Sequence, residues 1–175
     1  MVMSVGLPAI SRVTLYRLNS TTRQFVGLIR TIRNDAILLN QTHRLAIDLG
    51  KHTYWVESQT RDGLLSEVEE NPKDRKTNKK GEVPPSQFGI APKYSKEPRP
   101  MPGGVEFTSV FKEREGLRSE GLIYVHFFPN GINDQAILHL AKEGAPETTY
   151  SLVIRPTSGR VDIVRDIVKD FNASY

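Results

Sequence analysis

Four histidines, His43, His52, His126 and His139, are the side chains of this chain best suited to acid–base or metal chemistry. An imidazole titrates near neutrality and ligates metals, but both roles need partners at set spacing. These four fall on a helix exit, a turn and two strands, and none has the spacing of a metal motif. His126 shares a strand face with Leu122, Tyr124 and Phe128, and His139 one with Ile137 and Ala141. Packed or edge imidazoles are therefore expected, although two histidines on adjacent strands could meet. Asp134 stands in its turn with no second acid beside it, and Gly103-Gly104 and Gly159 have no lysine-serine signature after them. No nucleophile stands with a base, and the absence of cysteine removes thiol catalysis, thiolate metal sites and disulfides together. The expectation is a chain without catalytic residues, cofactor or metal, whose function resides in surfaces. Asn40-Gln41-Thr42 and Asn172-Ala173-Ser174 match a glycosylation acceptor, a pattern short enough to recur by chance.

Charge is balanced, with 24 basic against 20 acidic residues and a net of +4, too mild to announce a nucleic-acid protein. Arg12, Arg17, Arg23, Arg30 and Arg33 could contact phosphates, but a solvated helix face is the plainer reading. The basic run Lys73 to Lys80 is flanked by Glu67, Glu69, Glu70 and Glu82 and reads as a flexible polar loop. Trp55, between Tyr54 and Val56, could be an exposed stacking platform, and a core anchor beside the helix is the favoured reading.

These side chains need elements to hold them. From Pro8 to about Asn40, Leu15, Leu18, Thr22, Phe25, Ile29, Ile32, Ala36 and Leu39 recur in three- and four-residue steps, which predicts one helix with a continuous apolar stripe. Arg44 to Asp48 and Thr53 to Glu57, broken at Gly50-Lys51, predict a hairpin, so residues 1–58 form helix plus hairpin. Residues 59–104 carry charge runs and prolines and read as a long polar loop with Phe88, Ile90 and Tyr94 as anchors. In 105–175 the strands are Val105 to Phe111, Leu122 to Phe128, Ala136 to Ala141, Thr148 to Arg155 and Arg160 to Arg165. The turns Pro129-Asn130-Gly131, Gly144-Ala145-Pro146 and Pro156-Thr157-Ser158-Gly159 join them into an antiparallel meander. Leu122 to Phe128, apolar on both faces, is expected to be central and covered by the helix. The fold class is α+β, one domain with a long N-terminal helix packed on two antiparallel β-sheets.

Three runs in this order resemble the H-type minor pseudopilins of type II secretion, a branch of the type IV pilin superfamily. They are RQFVGLIRTIRNDAILLNQTHRLAIDLGKHTYWVES, PGGVEF, and IYVHFFPNG followed by YSLVIRPTSGRVDI. The first is similar to the pseudopilin helix running into its hairpin, and the others to the start of the second sheet, the phenylalanine-proline-x-glycine turn and the terminal strand. The likeness spans the chain apart from the middle loop. It departs at the start: MVMSVGLPAI matches the last part of a hydrophobic half-helix, and the prepilin cleavage site, mature phenylalanine and membrane glutamate are absent. A longer protein with an inner-membrane anchor is the expectation drawn from this.

The resemblance implies a non-enzymatic filament or tip subunit of a type II secretion pseudopilus, periplasmic and anchored in the inner membrane. Its partners would be other pseudopilins or pilins, reached through the helix. Leu15, Leu18 and Thr22 are then the subunit-interface candidates, while Phe25, Ile29, Ile32 and Ala36 face the protein's own sheet. The alternatives are a DNA-binding or adhesive minor type IV pilin with the same fold, and a soluble β-rich enzyme domain. DNA-binding relatives concentrate positive charge at the C-terminus, whereas here Asp162, Asp166 and Asp170 offset Arg160 and Arg165.

Overall fold

A computed structural model describes residues 7–59 and 86–171, with side chains of the first helix from residue 15. The first six residues, the Lys73–Lys80 run with its flanking acids, and the Asn172-Ala173-Ser174 match lie outside them. Helix α1, Leu7–Leu38, is one unbroken piece of 32 residues, on the order of 50 Å long at about 1.5 Å per residue. Pro8 is tolerated because it occupies the first turn, where its missing N–H has no intrahelical partner. At the other end Asn40 takes a left-handed conformation, φ 48°. The Gln41 amide then reaches back to the Ala36 carbonyl and the Asn40 amide to that of Ile37, at 3.1 and 3.3 Å. This Schellman arrangement satisfies carbonyls that the helix end would leave bare.

Two five-stranded antiparallel sheets lie under α1. The first is built on the hairpin β1, His43–Asp48, and β2, Thr53–Gln59, whose turn uses His52 at φ 49°. The second is built from β5, Val105–Lys112, β8, Ala136–Lys142, and β9, Ala145–Ile154, with β6, Gly116–Arg118, and β10, Val161–Val164, at its edges. One core joins helix and sheets: Phe25, Ile29 and Ile32 meet Leu45, Ile47 and Val125 of the first sheet and Phe107, Leu138 and Leu152 of the second. Removing a side chain of that size from water contributes roughly 1.5–3 kcal/mol. Phe25, Tyr54 and Phe107 make mutual edge-to-face contacts at centroid distances of 4.7 to 6.5 Å.

The expected meander over 105–175 is interrupted. Strand β7, Leu122–Phe127, leaves the second sheet and pairs antiparallel with β1, forming the edge of the first sheet and not its centre. Its two apolar faces find different cover: Ile123, Val125 and Phe127 enter the core, while Tyr124 and His126 lie under Arg44 and neighbouring rings. The described part of the expected loop is also more ordered than a loop. Strands β3, Phe88–Ile90, and β4, Arg99–Pro100, both pair with the outer edge of β2. Strand β6, a short edge hairpin with β5, had no periodic signal in its three residues.

Candidate assembly surface

The stripe on α1 is in phase from Leu18 to Ala36, and Phe25, Ile29, Ile32 and Ala36 all lie in the core. Leu18 and Thr22, expected to protrude, are instead fully buried. Two and three turns separate Leu18 from Phe25 and Ile29, so it points at the same sheets, which extend far enough along the helix to cover it. Thr22 tolerates burial because its hydroxyl donates to the Leu18 carbonyl at 2.7 Å. Projection begins one turn earlier: Leu15 is 40% exposed and its neighbour Tyr16 76%. Arg23, Gln24, Gly27, Arg30 and Asn34 form the exposed flank of the docked part. Gly27 has nothing within 4 Å of the place a Cβ would occupy. At the far end Ile37, Leu38 and Leu39 are exposed, and Ile37 lies against Gly131.

Two of the helix arginines hold turns. The Arg33 Nε donates to the Gly131 carbonyl at 3.0 Å and its Nη2 to the Thr157 carbonyl at 3.3 Å, tying both strand-connecting turns to the helix. Gly159, at φ 63°, is required twice over, because a Cβ there would also overlap the Arg33 side chain. Arg17 similarly donates to the Gly103 carbonyl at 3.2 Å. Neither is a purely solvated cation.

Buried polar clusters brace the frame around this helix. Asp35 accepts both oxygens' bonds from Lys93, at 2.8 and 2.6 Å, and one from the Tyr94 hydroxyl at 2.6 Å. Burial pushes the Asp35 carboxyl up, yet those bonds and the Lys93 charge outweigh it and hold the carboxyl below its ordinary value. The same burial and carboxylate raise the Tyr94 hydroxyl far above the usual phenol range. On the outer face of the first sheet the Arg44 guanidinium lies between the rings of Phe88 and Tyr124, at 4.0 and 3.8 Å, and pairs with Glu57 at 2.6 Å. Trp55 belongs to this outer cluster and not to the core. Tyr54 and Val56 face inward, so alternation turns the indole out, where its N–H donates to Glu57 at 2.6 Å.

The histidines do not converge. His126 and His139 lie in different sheets with separate partners. His126 Nδ1 and its backbone amide both meet Asp134, at 2.8 and 3.0 Å, and Lys112 lies 3.5 Å from the same carboxylate. Burial raises the Asp134 carboxyl, but the His126 bond and the two charges hold it low. His139 bonds Ser109 at 2.8 Å and the Val168 carbonyl at 2.9 Å, fastening the C-terminal segment over Ile137 and Val153. Among the described residues no three His, Asp or Glu side chains are placed to hold a metal ion. The Arg44–Glu57 pair was missed in the sequence although a signal existed, since the hairpin register sets them directly opposite. The Asp35–Lys93–Tyr94 cluster joins residues 58 and 59 positions apart and had no local signal. No helix among the described residues is long and apolar enough to cross a membrane.

One long helix docked on two antiparallel sheets is an α+β, pilin-like fold. Two solved structures of the minor pseudopilin EpsH from the Type 2 Secretion System of Vibrio cholerae share it. One aligns over 88% of this chain and 99% of its own length, with a TM-score of 0.56 and 10% identity. The other aligns over 88% and 97%, with a TM-score of 0.53 and 11% identity. At such identity the likeness is one of fold, and it agrees with the resemblance read from the sequence. No family model matches the chain, and no curated protein matches it.

Proposed function

We propose that this chain is a minor pseudopilin, a structural subunit of a type II secretion pseudopilus on the periplasmic side of the bacterial inner membrane. It acts by contact with other pseudopilins and performs no chemistry. The observation that carries this reading is the division of α1. The stretch from Leu18 to Ala36 is docked on the protein's own sheets, and Leu15 and Tyr16 project apolar surface with no cover among the described residues. A helix face of this kind is stable when a neighbour covers it. Gly27 supports the reading, because nothing among the described residues needs a glycine there and a close neighbouring helix would. The interface is assigned to Leu15, Tyr16 and the exposed flank through Gly27, with Leu18 and Thr22 acting as supports from within.

The test is secretion in a host strain lacking its own copy of this gene. Leu15→Asp with Tyr16→Asp is expected to abolish secretion while leaving the melting temperature of the purified chain unchanged, since both side chains are exposed. Full secretion by the double variant would overturn the assignment. The DNA-binding alternative draws no support from Arg33, which is tied to the Gly131 and Thr157 carbonyls.

A further inference from the structure

A helix that packs against Gly27 meets charge of one sign. Along α1 the basic residues are Arg12, Arg17, Arg23, Arg30 and Arg33, and the one carboxylate is Asp35, which is buried and bonded to Lys93 and Tyr94. Arg17 and Arg33 reach back to turn carbonyls. Arg23 and Arg30 instead stand on the exposed flank, with no hydrogen bond or ion pair to a described residue.

These two are placed where a crossing helix comes closest. Arg23 lies one turn before Gly27 and Arg30 one turn after it, so the pair shares the face of Gly27 and spans about 10 Å along the axis. The same face continues in steps of three and four, to Tyr16 in one direction and through Asn34 to Ile37 and Leu38 in the other. Its two ends are therefore apolar and exposed, while charge stands in the middle on both sides of a residue with no side chain.

An exposed guanidinium is well solvated and by itself calls for no partner, and a single surface ion pair changes affinity only a few-fold. What this pair decides is which neighbour is excluded. Packed helices lie about 8–10 Å apart, so a second copy of this flank crossing at Gly27 would bring Arg23 and Arg30 of both chains together and remove water from between them. Like charges so placed destabilise a contact, and interfaces use them to reject the wrong partner. Among the described residues α1 is the only helix, and its one carboxylate is already paired, so no helix described in this chain supplies the opposite sign.

We infer that the exposed flank of α1 receives a helix of a different protein and not that of a second copy. The partner helix presents an acidic residue on each side of its crossing point, about seven positions apart to match Arg23 and Arg30. Apolar side chains beyond those acids cover Tyr16 at one end and Ile37 and Leu38 at the other. This inference rests on the reading of the flank as an assembly surface, and adds the sign of charge that the neighbour carries.

The test is charge reversal in the full chain, read by secretion in the host strain lacking its own copy, beside the Leu15→Asp, Tyr16→Asp variant. Arg23→Glu with Arg30→Glu should lower secretion about tenfold or more, with the melting temperature of the purified chain unchanged. Arg23→Lys with Arg30→Lys keeps the sign and should retain about half of secretion or more. Equal loss in the lysine and glutamate variants would overturn the inference, since the sign would then not matter. Full secretion by the glutamate variant, with none by the Leu15, Tyr16 variant, would overturn it and leave the surface reading standing. Full secretion by both would overturn the two together. Should the glutamate variant melt lower, Arg23→Gln with Arg30→Gln decides the same question, reduced secretion supporting the inference and full secretion refuting it. A photo-reactive amino acid at the exposed position 34 should cross-link to a helical segment of another protein with Asp or Glu on both sides of the adduct. No adduct, an adduct joining two copies of this chain, or one on a segment without those acids would overturn the inference.

Discussion

Replacing Gly27 with alanine should make the isolated chain more stable and the assembled one worse. Gly27 lies in the interior of α1 with an ordinary helical backbone, on the exposed flank, and an added Cβ would meet nothing within 4 Å. Within a helix interior glycine is about 0.8–1.0 kcal/mol less favourable than alanine, because the unfolded chain loses more freedom on ordering. With no clash to offset that gain, Gly27→Ala should raise the unfolding free energy by about 1 kcal/mol and the melting temperature by about 2–4 °C for a chain of this length. Urea unfolding followed by Trp55 fluorescence and by circular dichroism measures it, with the midpoint rising and the slope unchanged. A lower midpoint would refute the reasoning, since it would mean the methyl group meets atoms of the folded chain. In cells the same methyl group should hold a neighbouring helix away, so secretion should fall although the subunit is sturdier.

Two further predictions concern pH and one the turn clamp. Asp35 is held below its ordinary value in the folded chain, so its contribution is complete above the unfolded value of about 4 and is lost as pH falls through the lower, folded value. Asp35→Asn should cost about 1–3 kcal/mol at pH 7 and flatten the acid limb of a stability profile below pH about 4. His139 is buried and depressed, with Nε2–H donating to the Val168 carbonyl and Nδ1 facing Ser109. The unfolded imidazole therefore takes its proton first, and stability falls as pH drops below about 6.5. In His139→Gln the slope between pH about 7 and 5 should shrink. Arg33→Ala should destabilise by about 1–3 kcal/mol through two freed carbonyls, and Arg33→Lys should recover less than half, since one ammonium cannot reproduce the fork that spans Gly131 and Thr157. Thermal melts of both variants read this directly.

The helix was legible because its apolar residues repeat at helical spacing and its ends carry Pro8 and Asn40. Where the docked part stops was not legible. An amphipathic stripe reports which flank is covered but not how far the covering sheet extends, and Thr22 conceals its hydroxyl in a bond to its own helix. Strand Leu122–Phe127 announced burial on both faces, yet the choice of partner depends on a long-range pairing with His43–Asp48 that composition cannot express. Trp55 shows the opposite case. Alternation with Tyr54 and Val56 already set it on the other face, and its place in a hairpin beside the amphipathic helix argued for the core. The polar braces were least visible, since Asp35 meets Lys93 and Tyr94 from 58 and 59 positions away in sequence, where residues beside the first sheet's edge strands come back to the helix.

A photo-reactive amino acid placed at position 16 reads the projecting end of the helix directly, because Tyr16 is mostly exposed. In cells assembling a pseudopilus it should cross-link to another pseudopilin, whereas the same probe at the exposed Lys169 should not. No adduct at position 16, or equal adducts at both positions, would contradict the view that this end of α1 is kept for neighbouring subunits.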